Sequence, residues 1–359
     1  MRLAFILFVV TTLSLHIARG ARHSEERLIG WQGETYSPFS EGKSGGIIGT
    51  SLHSANTNQR PAWIQTISWK PRAVVYHNFL SDQEARHIID LAHEQMKRST
   101  VVGSRNEGVV DEIRTSYGTF LRRAQDPVIT AIEERLALWS HLPPSHQEDM
   151  QVLRYGRTNK YGPHIDGLER VATVLIYLVA PDAGGETAFT DSVWGHPELA
   201  RQADQANLSA CARGHVAYKP KRGDALMFFD VKPDYTTPDG HSMHTGCPVV
   251  EGVKWNAVKW IHGTPFRLEE YEGALKEPFK PLPDPGICTN LHEMCQTWAQ
   301  AGECKNNPGY MLGSNSGIGN CRLACKDCIE CQPGDRECYV RNRQSGGYLV
   351  FNETELKGL

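Results

Sequence analysis

Gln151-Val152-Leu153-Arg154-Tyr155, followed by Tyr161-Gly162-Pro163-His164-Ile165-Asp166, is the stretch from which the fold can be read. The first five residues form a short β-rich run. Gly and Pro then punctuate the chain, and His164-Ile165-Asp166 sits where another strand would enter a sandwich. Similar runs recur at 171–179, 215–218, 225–229 and 257–262, with Gly, Pro and Asp between them. Several short strands separated by turn signals predict an all-β sandwich or barrel.

Toward the N-terminus the pattern changes to helices. Val74-Val75-Tyr76 reads as a short strand, and Ser81-Asp82-Gln83-Glu84 as a capping box. Ala85, Ile88, Ile89, Ala92 and Met96 follow at helical spacing. Asp126-Pro127 opens a second helix with Ile129, Ile132 and Leu136 as its apolar stripe. Both stripes read as core packing. The predicted fold is mainly β with flanking helices.

The ends carry different signals. Arg2 precedes an apolar run over 3–18, followed by small residues, so 1–20 reads as a cleaved signal peptide or an uncleaved signal anchor. The run is slightly short for a span, which needs about 20 residues. Either reading places the rest in the secretory lumen, the endoplasmic reticulum, in the second case as a single-pass type II membrane protein. Residues 21–70 read as a polar stem, 71–267 as the main domain, 268–287 as a Pro-rich linker, 288–328 as a small cysteine-rich module and 329–359 as a tail. Eight of the ten cysteines lie between Cys288 and Cys338, a density suited to an oxidising compartment. Asn207-Leu-Ser209 and Asn352-Glu-Thr354 are possible glycosylation sites, making a glycoprotein. The net charge of −3 with no long basic run argues against nucleic acid and anionic membrane surfaces as partners.

His164 and Asp166 carry the chemistry. Residues i and i+2 of a strand share a face, so both can reach one ion from one side. A third ligand must come from elsewhere: His244 is the best candidate, and His241 is a rival that spacing does not exclude. Two His and one carboxylate leave three positions open, which suits a non-haem Fe(II) oxygenase binding a bidentate 2-oxo acid and then O2. A hairpin would set His244 and Lys254 on adjoining strands, with the Lys254 ammonium on the distal carboxylate of 2-oxoglutarate. Lys254 lies between Val253 and Trp255, an apolar setting for a lysine. His196, His215 and His262 read as surface or core histidines, and Asp224 as a turn residue.

Taken together, these segments resemble the prolyl 4-hydroxylases, particularly the plant and algal type. The likeness runs from about Val74 to Pro265 and includes, in the family's order, Ile113-Arg114-Thr115-Ser116, the two opening stretches, Gly184-Gly185-Glu186-Thr187, Gly223-Asp224-Ala225-Leu226-Met227-Phe228-Phe229 and His244-Thr245-Gly246-Cys247-Pro248-Val249. The resemblance implies a double-stranded β-helix, a cupin-like jelly roll. It assigns the metal to His164, Asp166 and His244 rather than His241. It assigns the 2-oxoglutarate carboxylate to Lys254, supported by Tyr155 and Thr187, with Trp260 lining the pocket. It further implies ascorbate as the reductant that rescues the iron, and peptide contacts at Tyr161 and Arg170. Only Gly167, Leu168 and Glu169 separate Asp166 from Arg170, where related enzymes often carry a longer loop over the substrate. The implied reaction converts peptidyl proline in proline-rich secretory proteins to 4-hydroxyproline while 2-oxoglutarate is decarboxylated to succinate and CO2.

The tail spacing Cys321-x3-Cys325-x2-Cys328 resembles the ShK toxin-like (ShKT) domain. That resemblance implies Cys288–Cys328, Cys295–Cys321 and Cys304–Cys325, where sequence alone allows fifteen pairings. Cys325-x2-Cys328-x2-Cys331 also admits a zinc site, and Cys331 with Cys338 a further bridge. Three rival functions are a zinc hydrolase using the same three ligands, an inactive barrel that presents the tail module to a partner, and an oxygenase acting on another side chain such as lysine.

Overall fold

Local hydrogen bonds fix the helix starts. The Ser81 hydroxyl accepts from the Glu84 N–H, and the Glu84 carboxylate accepts from the Ser81 N–H, so the capping box opens α1 (Asp82–Ala92). The Asp126 carboxylate accepts from the N–H groups of Val128 and Ile129, and Pro127 begins α2 (Pro127–Ser140). The computed structural model describes residues 62–102, 108–167, 169–314, 317–351 and Glu355. The signal segment, most of the stem and Asn352 lie outside the described residues.

The strands that build the site are, in chain order, β1 (Trp63–Lys70), β2 (Arg72–His77), β3 (Lys97–Arg98), β4 (Tyr117–Leu121), β5 (Met150–Tyr155), β6 (Tyr161–His164), β7 (Arg170–Val179), β8 (Thr187–Phe189), β9 (Val193–Trp194), β10 (Val216–Tyr218), β11 (Ala225–Phe229), β12 (His244–Gly246) and β13 (Lys254–His262). A nine-stranded antiparallel sheet runs β9-β1-β2-β11-β7-β13-β5-β4-β3, and a four-stranded antiparallel sheet runs β10-β8-β12-β6. This is the jelly-roll arrangement expected from the sequence.

Two covered faces explain why β13 is buried along its whole length. Its side chains alternate. Trp255, Ala257 and Ile261 join Ile88 and Ile89 of α1 and Ile129, Ile132 and Leu136 of α2 in the main core. Val258 and Trp260 point the other way and pack with Leu153 and Tyr155 of β5. Lys259 lies on the helix side, where its ammonium donates to the Glu133 carboxylate of α2 at 2.7 Å with both side chains buried.

Several expectations change. The stem does not continue to residue 70: Trp63–Lys70 pairs with β2 because Ile67 and Ser68 of this strand are buried. The Pro-rich segment opens with an α-helix, Leu268–Lys276, which ends before its prolines begin. Asp224 is a buried acceptor rather than a turn residue: it takes hydrogen bonds from Tyr218 and the Asn78 N–H and pairs with His77 at 2.7 Å. His244 and Lys254 do not share a hairpin. Their strands belong to different sheets and face each other.

Five disulfides join Cys211–Cys247, Cys288–Cys328, Cys295–Cys321, Cys304–Cys325 and Cys331–Cys338. Buried Cys295 and Cys321 centre a small core with Met311, which suits a module too small for a large one. The last described segment leans on the main domain. Leu349 N–H donates to Met96 O, Arg343 donates to Glu94 O, Phe351 stacks on Trp255, and Arg154 pairs with Glu355 through two bonds.

Candidate active site

The cleft lies between the two sheets. The larger sheet contributes Leu153 and Tyr155 from β5, Thr173 and Leu175 from β7, and Lys254, Asn256, Val258 and Trp260 from β13. The smaller sheet contributes Tyr161 and His164, Thr187 and His244.

His164 ends β6, and its partner across the ladder is His244 at the start of β12. Asp166 lies just beyond the strand. One ligand atom from each of these three residues falls within 4.8 Å of the others. Hydrogen bonds decide which atoms are available. The Nδ1 of His164 faces Gly162 O at 2.9 Å, and the Nδ1 of His244 faces Ser242 O at 2.9 Å. A backbone carbonyl requires N–H there, so both Nε2 atoms carry lone pairs. Asp166 Oδ2 accepts from Thr173 Oγ1 at 2.6 Å and from Trp260 Nε1 at 3.1 Å. Its Oδ1 lies 3.9 Å from His164 Nε2. Two imidazole nitrogens and one carboxylate oxygen therefore converge, each oriented from behind. That donor set fits Fe(II). His241 is elsewhere, with Nδ1 against Asp191 O at 2.9 Å.

The electrostatics suit this arrangement. Burial, reinforced by His244, lowers His164 to about 3, so its ring is neutral. Burial opposes ionisation of Asp166, but His244, His164, Thr173 and Arg170 outweigh it and hold the carboxyl below its ordinary range. Thr173 also faces Asp230 Oδ2 at 2.9 Å. One hydroxyl has one proton for two carboxyl groups. Burial and the Asp166 charge push Asp230 well above the usual carboxylate range, which supplies the second proton.

Lys254 is 4% exposed. Its Nζ donates to Gly185 O at 2.8 Å, and burial lowers its pKa to about 8 against the pull of Glu186. Gly185 holds that carbonyl in place at φ +70°, where a Cβ would come within 2.8 Å of Pro181. Tyr155 is the direct ladder partner of Lys254. Thr187 is tied to Tyr177 OH at 3.0 Å. Tyr161 stacks on His164 with ring centroids 3.7 Å apart. Arg170 pairs with Glu148 at 2.6 Å and lies 3.8 Å over the Trp260 ring, while His262 meets the same Glu148 oxygen at 2.9 Å. The structure thus brings all the expected site residues to one cleft. Sequence reading missed Thr173, Asp230, Glu148 and Asn256. Alternation along β7 and β13 was the available signal for Thr173 and Asn256.

The 2OG-Fe(II) oxygenase superfamily profile matches residues 150–262. Prolyl 4-hydroxylase 2 of Arabidopsis thaliana is 43% identical over 291 residues, covering 77% of this chain and 92% of that protein.

The chain belongs to the prolyl 4-hydroxylase family.

A probable prolyl 4-hydroxylase 4 of the same plant is 39% identical over 288 residues, covering 77% of this chain and 92% of that protein. The viral collagen prolyl hydroxylase of Paramecium Bursaria Chlorella virus-1, solved with 2OG, shares 24% identity at a TM-score of 0.39, covering 54% of this chain and 96% of that one. As a member of the prolyl 4-hydroxylase family this protein is a 2-oxoglutarate-dependent dioxygenase, using Fe(II), 2-oxoglutarate and O2.

Proposed function

We propose that this protein hydroxylates C4 of peptidyl proline in proline-rich secretory proteins, with iron on His164, Asp166 and His244. One observation carries the reading. Two neutral imidazoles and an ionised carboxylate converge beside a buried lysine that donates only to a backbone carbonyl. Bound iron with 2-oxoglutarate and O2 supplies the oxidising power, and the co-substrate leaves as succinate and CO2. The residues of the chain do the rest. Lys254 takes the distal carboxylate as a charge-assisted partner, with Tyr155 and Thr187 adding hydroxyls. Trp260 walls the pocket and steadies Asp166 through Nε1. Tyr161 and Arg170 border the approach to the metal from the peptide side. Proline-rich segments favour polyproline II, whose solvated backbone suits an open groove.

Ascorbate as rescuing reductant follows from family membership. The five disulfides support a lumenal site of action. No helix among the described residues is long and apolar enough to cross a membrane, and the proposed signal or anchor at 1–20 lies outside them. The module at 288–328 has the cysteine spacing of a ShKT domain, and Asn207 is exposed as a glycan acceptor must be.

The test is succinate formation with a panel of proline-rich peptides, the products read by mass spectrometry. One added oxygen on proline is the expected result. Oxygen found on lysine, or 2-oxoglutarate turnover that no proline peptide stimulates, would overturn the substrate assignment.

A further inference from the structure

Asn256 is 3% exposed and lines the cleft, yet its Oδ1 has no hydrogen-bond partner. It stands two residues after Lys254 on β13, so both side chains point the same way. Its strand neighbours leave it unpaired. Leu153 on β5 is apolar. Tyr177 on β7 spends its hydroxyl on Thr187. Lys254 is committed to Gly185 O. A buried amide without a partner works against folding, and such groups are few in native proteins. The two ends of a side-chain amide exchange places by a half-turn, so the same position can present either an acceptor or the Nδ2 donor.

We infer that Asn256 is a second binding residue for the dicarboxylate co-substrate, its Nδ2 donating to a carboxylate oxygen of the 2-oxoglutarate that Lys254 anchors. The inference rests on the function proposed above. Two residues of strand span about 6–7 Å, close to the length of a five-carbon dicarboxylate, so the amide lies alongside a ligand running from Lys254 toward the metal ligands. The unpaired group is a cost to the empty protein that the ligand removes.

This separates binding from structure. Asn256→Leu keeps the size and deletes the amide. In calorimetric titration of the iron-loaded protein without oxygen, the variant should bind 2-oxoglutarate about ten-fold more weakly or worse. The ligand-free variant should melt at or above the wild-type temperature, because the orphaned group is gone. Asn256→Asp should bind more weakly still, since it sets a carboxylate against a carboxylate. An unchanged dissociation constant in Asn256→Leu overturns the inference, as does a lower melting temperature with unchanged binding. If Asn256→Leu does not fold, Asn256→Ala must show the same binding loss. A wild-type protein that binds no 2-oxoglutarate would instead sink the reading of the whole site, and this inference with it.

Discussion

Lys254 and Gly185 meet through a single hydrogen bond of 2.8 Å from ammonium to carbonyl, and no carboxylate among the described residues lies within ion-pair distance of that buried charge. A cation left in this state is a receptor for an anion.

Lys254→Ala should therefore leave iron binding intact and raise the 2-oxoglutarate requirement steeply. A charge-assisted hydrogen bond to a buried carboxylate contributes roughly 1.5–3 kcal/mol, about ten- to a hundredfold in affinity. Lys254→Glu should be worse. The measurement is a 2-oxoglutarate titration of the iron-loaded variants, and an unchanged requirement would remove Lys254 from the site.

The pH dependence has two opposite signs. Burial lowers Lys254 to about 8, so above that pH the free enzyme loses the charge that holds the co-substrate. The apparent KM for 2-oxoglutarate should be flat below about 8 and rise above it. Stability moves the other way. The unfolded chain keeps its lysine proton to higher pH, so the penalty of the buried ammonium is full below about 8 and fades as pH rises. Thermal melts and KM values over the same pH series would test both, and Lys254→Met should flatten the two together.

His164→Ala, Asp166→Ala or His244→Ala should each abolish turnover, because each removes one corner of the metal site. His241→Ala should do far less, since His241 is turned toward Asp191. Metal analysis after gel filtration, alongside succinate release, separates loss of iron from loss of chemistry. Iron retained at wild-type content in His244→Ala would contradict the ligand set.

Glu133→Ala should destabilise strongly, by about 3–5 kcal/mol, because it leaves Lys259 charged and buried. Glu133→Gln combined with Lys259→Met should recover much of that loss. Gln keeps an acceptor for the Ala124 N–H, which Glu133 now satisfies. Denaturant melts of the single and double variants give the comparison.

Truncation before Cys288 should leave a barrel that folds and binds iron, but less stably. It removes Leu349 and Phe351 from the edge of the main core and strips Arg154 of Glu355. For a domain of this size each kcal/mol lost lowers the melting temperature by about 2–4 °C. Calorimetry of both lengths reads the shift. A truncated chain unable to bind iron would show that barrel and tail are a single folding unit.

The readable parts of this protein are those written by neighbours in sequence. Ser81 and Asp126 cap helices through bonds that close within three residues, so their motifs sufficed. His164 and Asp166 are close in sequence as well as in space. What escaped was contact between distant strands. The tie from Thr173 to Asp166 and Asp230, and the pairing of Glu148 with Arg170 and His262, bring residues together only once β7 and β13 are side by side. Asp224 was misread because Gly-Asp signals a turn locally, whereas its partners His77 and Tyr218 come from other strands. The placement of His244 opposite Lys254 was likewise invisible: spacing gives the length of the connection but not that it crosses from one sheet to the other.

The Cys211–Cys247 bridge fastens the segment after the short helix Pro197–Gln205 to the chain three residues beyond His244. Ser209, in the same segment, donates twice to Glu186, next to Thr187. A thiol–disulfide exchange at this one bond thus reaches both the metal strand and the co-substrate strand. Recombinant protein made in a reducing bacterial cytosol, or stored with thiol additives, is accordingly a blend of bridged and open molecules, and specific activity from such material should be normalised to free-thiol content before any two preparations are compared.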